Sequence, residues 1–248
     1  MMRAMVTKEI LEAMGTGGGQ RVQFIVALAL NVVIGFATPL FIGSILTRSA
    51  VDPSLDTIYA AWIAAGASLG IATFTAMFYP ITVGADLIAG ERERHTLETL
   101  LAGPVPSSQI LLSKLLGMVT LGLAGSVMIA IAAMLGMLVG FGLDPGWIGF
   151  LLPPAALVTT ALPVFMFSCV AVLASMRAKT ARAAQQTMAY VMLPLLLLPA
   201  GFTLVDVENT AVLLVVGILM GAVMLVAAIA APLAAFALFK RERLMAVG

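Results

Sequence analysis

The sequence predicts an all-α membrane protein of six transmembrane helices, preceded by an amphipathic helix in the membrane interface and carrying a short cytoplasmic helix between the second and third spans. Three observations predict it. The chain is 62% hydrophobic and 10% charged, with a mean hydropathy of +1.12, whereas a soluble domain is about 45–50% apolar and about 25% charged. Its long runs, such as "LLGMVTLGLAGSVMIAIAAMLGMLVG", are apolar on every face and lack the alternation of a transmembrane β-barrel. Its basic residues fall between those runs in an alternating pattern that fixes an orientation.

In "MMRAMVTKEILEAMG" the residues Met2, Met5, Val6, Ile10, Ala13 and Met14 recur at helical spacing, while Lys8, Glu9 and Glu12 take another face. That is the pattern of a helix lying in the interface; a frayed terminus is the alternative. With the flexible break "GTGGGQR" it makes an interfacial helix and linker over residues 1–20. The charges here and the length of the first apolar run argue against a cleavable signal peptide. The glycines are not a phosphate-binding loop, which needs a lysine next to reach the phosphates, and Gly19 is followed by Gln20.

Six stretches then reach the roughly 20 residues needed to cross a hydrocarbon core of about 30 Å: 22–46, 58–83, 110–140, 147–174, 187–205 and 211–239. Lys and Arg near span ends are retained on the cytoplasmic side. Arg3, Lys8 and Arg21 precede the first span, Arg92, Arg94 and Lys114 flank the second connection, Arg177, Lys179 and Arg182 fill the fourth, and Lys240, Arg241 and Arg243 close the chain. The odd connections hold only Arg48 among the 13 basic residues, against Asp52, Asp56, Asp144, Asp206 and Glu208. Both termini are therefore expected in the cytoplasm, and the net charge of +1 gives no argument for nucleic acid.

Polar residues inside the spans are few: Asn31, Thr73, Thr75, Tyr79, Ser126, Thr159, Thr160, Ser168 and Tyr190. Their groups must find partners in hydrocarbon, so they face the bundle or another subunit. No ionisable residue stands near the middle of a span, which removes the usual mark of proton pumps and ion-coupled transporters. Asp86 and Lys114, near cytoplasmic ends, are explained by snorkelling. Gly66 with Gly70, Gly136 with Gly140 and Gly217 with Gly221 each make G-x-x-x-G, serving intrachain packing or a dimer face. Cys169 is the sole cysteine and reads as a buried inert thiol.

Between spans two and three stands "AGERERHTLETLLAGPVPSSQILLSK". Five of the chain's charges, Glu91, Arg92, Glu93, Arg94 and Glu98, fall in the eight positions 91–98 of this segment of 86–109. From Glu91 to Ala102 the residues form about three turns of helix, with Leu97, Leu100 and Leu101 on one face and Gly103-Pro104 as a stop. A plain connection needs about 2–8 residues. A membrane-surface helix would be richer in Lys and Arg, so a protein partner is the better reading. His95 is the only histidine; no second ligand completes a metal site, and no nucleophile motif is visible.

The stretch "GERERHTLETLLAGPVPSSQILLSKLL" resembles the G-E-[RK]-E-x-G-T-L-E-x-L-L-x-x-P-V-[ST]-x-x-[EQ]-[IL]-L-x-[GS]-K of ABC-2 type transporter permeases. Chain length, span count, the amphipathic N-terminal helix and cytoplasmic termini agree with that family. The resemblance implies that this segment, over 90–106, contains a coupling helix that sits in a groove of a separate ABC ATPase, with Glu91, Arg92, Glu93, Arg94, His95, Thr96, Leu97, Glu98, Leu100 and Leu101 shaping or contacting the dock. Pro104 and Val105 would form its exit turn. His95 departs from the pattern, where glycine is usual. It further implies a second permease copy, identical or a sister, in a prokaryotic inner membrane, with ATP and Mg bound by the ATPase and no cofactor on this chain. Asn31, Thr73, Thr75, Tyr79, Ser126, Thr159, Ser168 and Tyr190 become candidates for the translocation path of an exporter; helix glue is the plainer role. "PLLLLPAGFTLV" is either a re-entrant element or a kinked end of span five. The competing classes are a secondary transporter, which needs an intramembrane coupling site or internal repeat, and an intramembrane enzyme, which needs converging reactive groups. The sequence shows neither.

Overall fold

A computed structural model describes residues 6–8, 10–11, 18–48, 53–96, 106–142, 146–191 and 210–239. Among these, regular structure is helical throughout: α1 (Gly18–Arg48), α2 (Pro53–Glu93), α3 (Ser107–Phe141), a 3-10 helix at Gly146–Leu151, α4 (Leu152–Arg177), α5 (the described residues 181–191) and α6 (Thr210–Leu238). Four stretches of the described residues are long and apolar enough to cross a membrane: Leu28–Ile45, Thr57–Glu93, Ser107–Phe141 and Trp147–Arg177. Leu225–Leu238 adds a shorter apolar helix. These fall on the first four expected spans and the sixth; of the fifth, 187–205, residues beyond 191 lie outside the described residues.

Local chemistry sets the boundaries, and three differ from expectation. The chain is already helical at Gly18, within the expected linker, and residues 12–17 lie outside the described residues. The fourth span opens as a 3-10 turn and becomes α-helical at Leu152; Pro153 and Pro154 lack N–H groups and are tolerated only in a first α-helical turn. α2 does not stop at 83 but continues to Glu93, 41 residues in all. At 1.5 Å per residue it is about 60 Å long, twice a hydrocarbon core. Glu91, Arg92 and Glu93 are thus the last turn of a span helix, not the first turn of a separate one. At the N-terminus, residues 6–8 and 10–11 are helical with Val6 and Ile10 half-buried and Thr7, Lys8 and Leu11 exposed. The rest of the expected interfacial helix lies outside the described residues.

The chain divides into two compact units, apart from its first two residues: Arg3–Tyr79 with Gly117–Val164, and Pro80–Leu116 with Phe165–Gly248. In the first, small side chains let helices approach closely, which is how helices associate where lipid offers no hydrophobic contrast. Ala61, Ala64 and Ala65 of α2 share a buried cluster with Ala130 and Ala133 of α3 and Ala156 of α4. α1 crosses α3 at Gly136, where an added Cβ would lie 2.4 Å from the Phe36 carbonyl oxygen. Gly140 packs on Leu40 in the same seam, so this G-x-x-x-G pair serves intrachain packing. Gly66 and Gly70 have nothing within 4 Å of where a Cβ would stand; packing among the described residues does not explain that pair. Gly217 and Gly221 have no described side-chain surroundings. Trp62 and Trp147 meet edge to face at 6.4 Å, about half exposed, as aromatic residues at a membrane–water boundary do.

Candidate coupling site

The second unit carries the charged stretch. α2 ends in a specific cap. The Arg94 N–H continues the helix to the Gly90 carbonyl at 3.0 Å. His95 then turns left-handed, φ 56°; its N–H donates to the Arg92 carbonyl at 3.1 Å and the Thr96 N–H donates to the Glu91 carbonyl at 3.0 Å. These two bonds are the pair of a Schellman ending, with His95 at the position glycine usually holds because no Cβ opposes the left-handed conformation there. That accounts for glycine in the family pattern, and a histidine in its place costs about 1–2 kcal/mol. At the end of α3, Gly142 meets the same demand with φ 74°.

The three residues before the cap each reach a different element. Glu91 faces Lys114 of α3 at 4.0 Å and accepts a hydrogen bond from the Thr96 hydroxyl. Lys114 is 3% exposed, so it is buried against a carboxylate rather than snorkelling. Arg92 donates to the carbonyl of Ala178, just past the end of α4. Glu93 accepts from the Ala181 N–H at 3.3 Å, at the first residue of α5. A cation at a helix C-terminus and an anion at a helix N-terminus are each favoured by the backbone dipoles. One turn earlier, the buried Ser175 hydroxyl oxygen accepts from the N–H groups of Ile88 and Ala89 at 3.0 and 2.9 Å. Ala89 and Ala184 are fully buried, with Ala178 packed on them, so α2, α4 and α5 meet at alanine distance.

Sequence reasoning missed Ser175, Ala178, Thr180 and Ala181. Thr180 left a signal: its hydroxyl oxygen accepts from the Ala183 N–H at 3.1 Å, the N-cap of a helix whose start a threonine marks. The others act through backbone groups or a buried serine, which no spacing rule reveals. Of the expected docking residues, Glu91 and Arg92 are half-buried and Glu93, Arg94, His95 and Thr96 exposed. Leu97, Glu98, Leu100 and Leu101, with the helix they were expected to form, lie outside the described residues, as do Pro104 and Val105.

Several polar residues of the spans find partners close by. The Asn31 amide donates to the Tyr79 hydroxyl at 3.2 Å, and the Tyr79 ring lies where a side chain on Gly125 would stand. The Ser126 and Thr160 hydroxyls are 3.1 Å apart. Thr75 bonds the Ile71 carbonyl and Thr159 the Ala155 carbonyl. Thr73 is half-buried, Ser168 fully buried and Tyr190 75% exposed. Ser168 and Tyr190 fall in the second unit and the other six in the first. Among the described residues no group of three or more His, Cys, Asp or Glu could hold a metal ion.

Among the described residues, all regular structure is helical and four helices are long and apolar enough to cross a membrane, which makes this a multi-pass membrane protein. The family model for ABC-2 family transporter protein matches residues 3–216, and the chain belongs to that family, as the membrane permease of an ABC transporter. No curated protein matches the chain.

Proposed function

We propose that this chain is the permease subunit of an ATP-driven exporter, coupled through residues 90–106 to a separate ABC ATPase that binds ATP and Mg. The observation that carries this reading is the segment after α2: a span helix prolonged to Glu93, capped at His95 and followed by the leucine-bearing "TLETLL" of the family pattern. Docking falls on Leu97, Glu98, Leu100 and Leu101, beside the exposed Arg94 and His95. Six spans, cytoplasmic termini, a prokaryotic inner membrane and a second permease copy, identical or a sister, complete the reading. Asn31, Thr75, Tyr79, Ser126 and Thr159 also tie helices together or bond their own helix; with Thr73, Ser168 and Tyr190 they are the candidates for the translocation path.

Co-purification tests the dock. The ATPase recruited by the wild-type chain is expected to be lost from Leu97→Asp and Glu98→Arg variants that still insert and fold. Retention of that ATPase by both variants would show that the dock lies elsewhere.

A further inference from the structure

We propose that Arg92 and Glu93 are positioning residues for coupling, which hold the end of α2 to the turn between α4 and α5, and that they do not contact the ATPase. The inference rests on the functional reading above. Adjacent residues on a helix diverge by about 100°, yet these two bind the two sides of one short turn: Arg92 takes the Ala178 carbonyl at the end of α4, and Glu93 the Ala181 N–H at the start of α5. The turn is Ala178-Lys179-Thr180, short enough for neighbouring side chains to reach both ends.

The joint is reinforced rather than single. Ser175 ties α4 to the Ile88 and Ala89 amides a turn away, and Ala89 packs against Ala178 and Ala184. Glu91, in the same last turn, takes Lys114 of α3. One helical turn therefore holds three other helices, immediately before the residues that would meet the ATPase. A displacement of the segment after His95 must move α2 through that turn, and the turn carries α3, α4 and α5 with it. Charged side chains engaged with helix ends cannot serve as docking contacts without giving up those bonds. The five clustered charges thus have two roles. Glu91, Arg92 and Glu93 tie the end of α2 to other helices, and docking falls to the segment after His95.

The test separates affinity from rate. Wild type, Arg92→Ala, Arg92→Lys, Glu93→Gln and Leu97→Asp are reconstituted in nanodiscs with the ATPase that co-purifies with wild type; its affinity and its permease-stimulated ATP hydrolysis are measured. Loss of a hydrogen bond to a charged group corresponds to roughly tenfold, so Arg92→Ala should lower the stimulated rate about that much while affinity stays within about twofold. Arg92→Lys, which keeps a donor, should recover part of the rate, and Leu97→Asp should weaken affinity instead. Should Arg92→Ala fail to fold, Glu93→Gln, which keeps an acceptor but not the charge, should show the same split in milder form. Arg92 or Glu93 variants that weaken affinity as much as Leu97→Asp would overturn the inference, as would variants with both readouts unchanged. A wild-type chain that recruits no ATPase would instead overturn the functional reading beneath it.

Discussion

His95 is the residue where sequence and backbone disagree most openly. The family pattern has glycine there, and the chain keeps the left-handed turn glycine would allow, φ 56°, while both Schellman bonds form. A histidine tolerates that region better than a β-branched residue does. His95→Gly should therefore stabilise the protein by about 1 kcal/mol and His95→Val destabilise it by more, read as shifts in thermal unfolding of the detergent-solubilised chain. If glycine lowered the melting temperature, the imidazole would have a contact that outweighs the backbone cost. The need for a left-handed residue was not legible in "GERERHTLE" alone, because charged residues at helical spacing read equally well as the start of a helix or its end. The stop at Gly103-Pro104 drew the boundary to the wrong side of Glu91.

At the scale of elements, spans declare themselves through apolar length, and the first four were readable for that reason. What apolar length does not encode is where each helix ends outside the hydrocarbon: α2 runs ten residues past residue 83 to Glu93. Its polar end is held by partners far along the chain, Lys114, Ala178 and Ala181. Glycine pairs show the same limit, since G-x-x-x-G reads alike at 66/70 and at 136/140. Only in three dimensions does Gly136 meet the Phe36 carbonyl at 2.4 Å from a virtual Cβ while Gly66 meets nothing within 4 Å. Gly136→Ala should cost about 1–3 kcal/mol, because a backbone carbonyl cannot move aside as a side chain can. Gly66→Ala should leave the stability of a single chain unchanged. Thermal unfolding of the two variants in detergent checks both; equal losses would contradict the assigned α1–α3 contact.

For the whole molecule, charge segregation predicts topology. Tyr59 and Trp62 near the start of α2 are exposed aromatics, as residues at a membrane–water boundary are. Cys169 is buried, so introduced thiols can be read over a low background. Asp144→Cys should react with a membrane-impermeant maleimide from outside intact cells, and Lys179→Cys only after permeabilisation; the reverse pattern would invert the topology. Cargo was not legible, because Asn31, Tyr79, Ser126, Thr160, Thr75 and Thr159 bond one another or their own helices and the spans carry no charged residue near their middle that would point to a ligand class. The family was legible, carried by the motif after α2, which is blind to what is moved. The central claim, that this permease is driven through the segment after α2, is tested most directly by ATP hydrolysis. The ATPase recovered with the wild-type chain should hydrolyse ATP faster when returned to that chain in nanodiscs, and the stimulation should vanish with Leu97→Asp. A rate that is the same with wild type, with Leu97→Asp and with empty nanodiscs would contradict it.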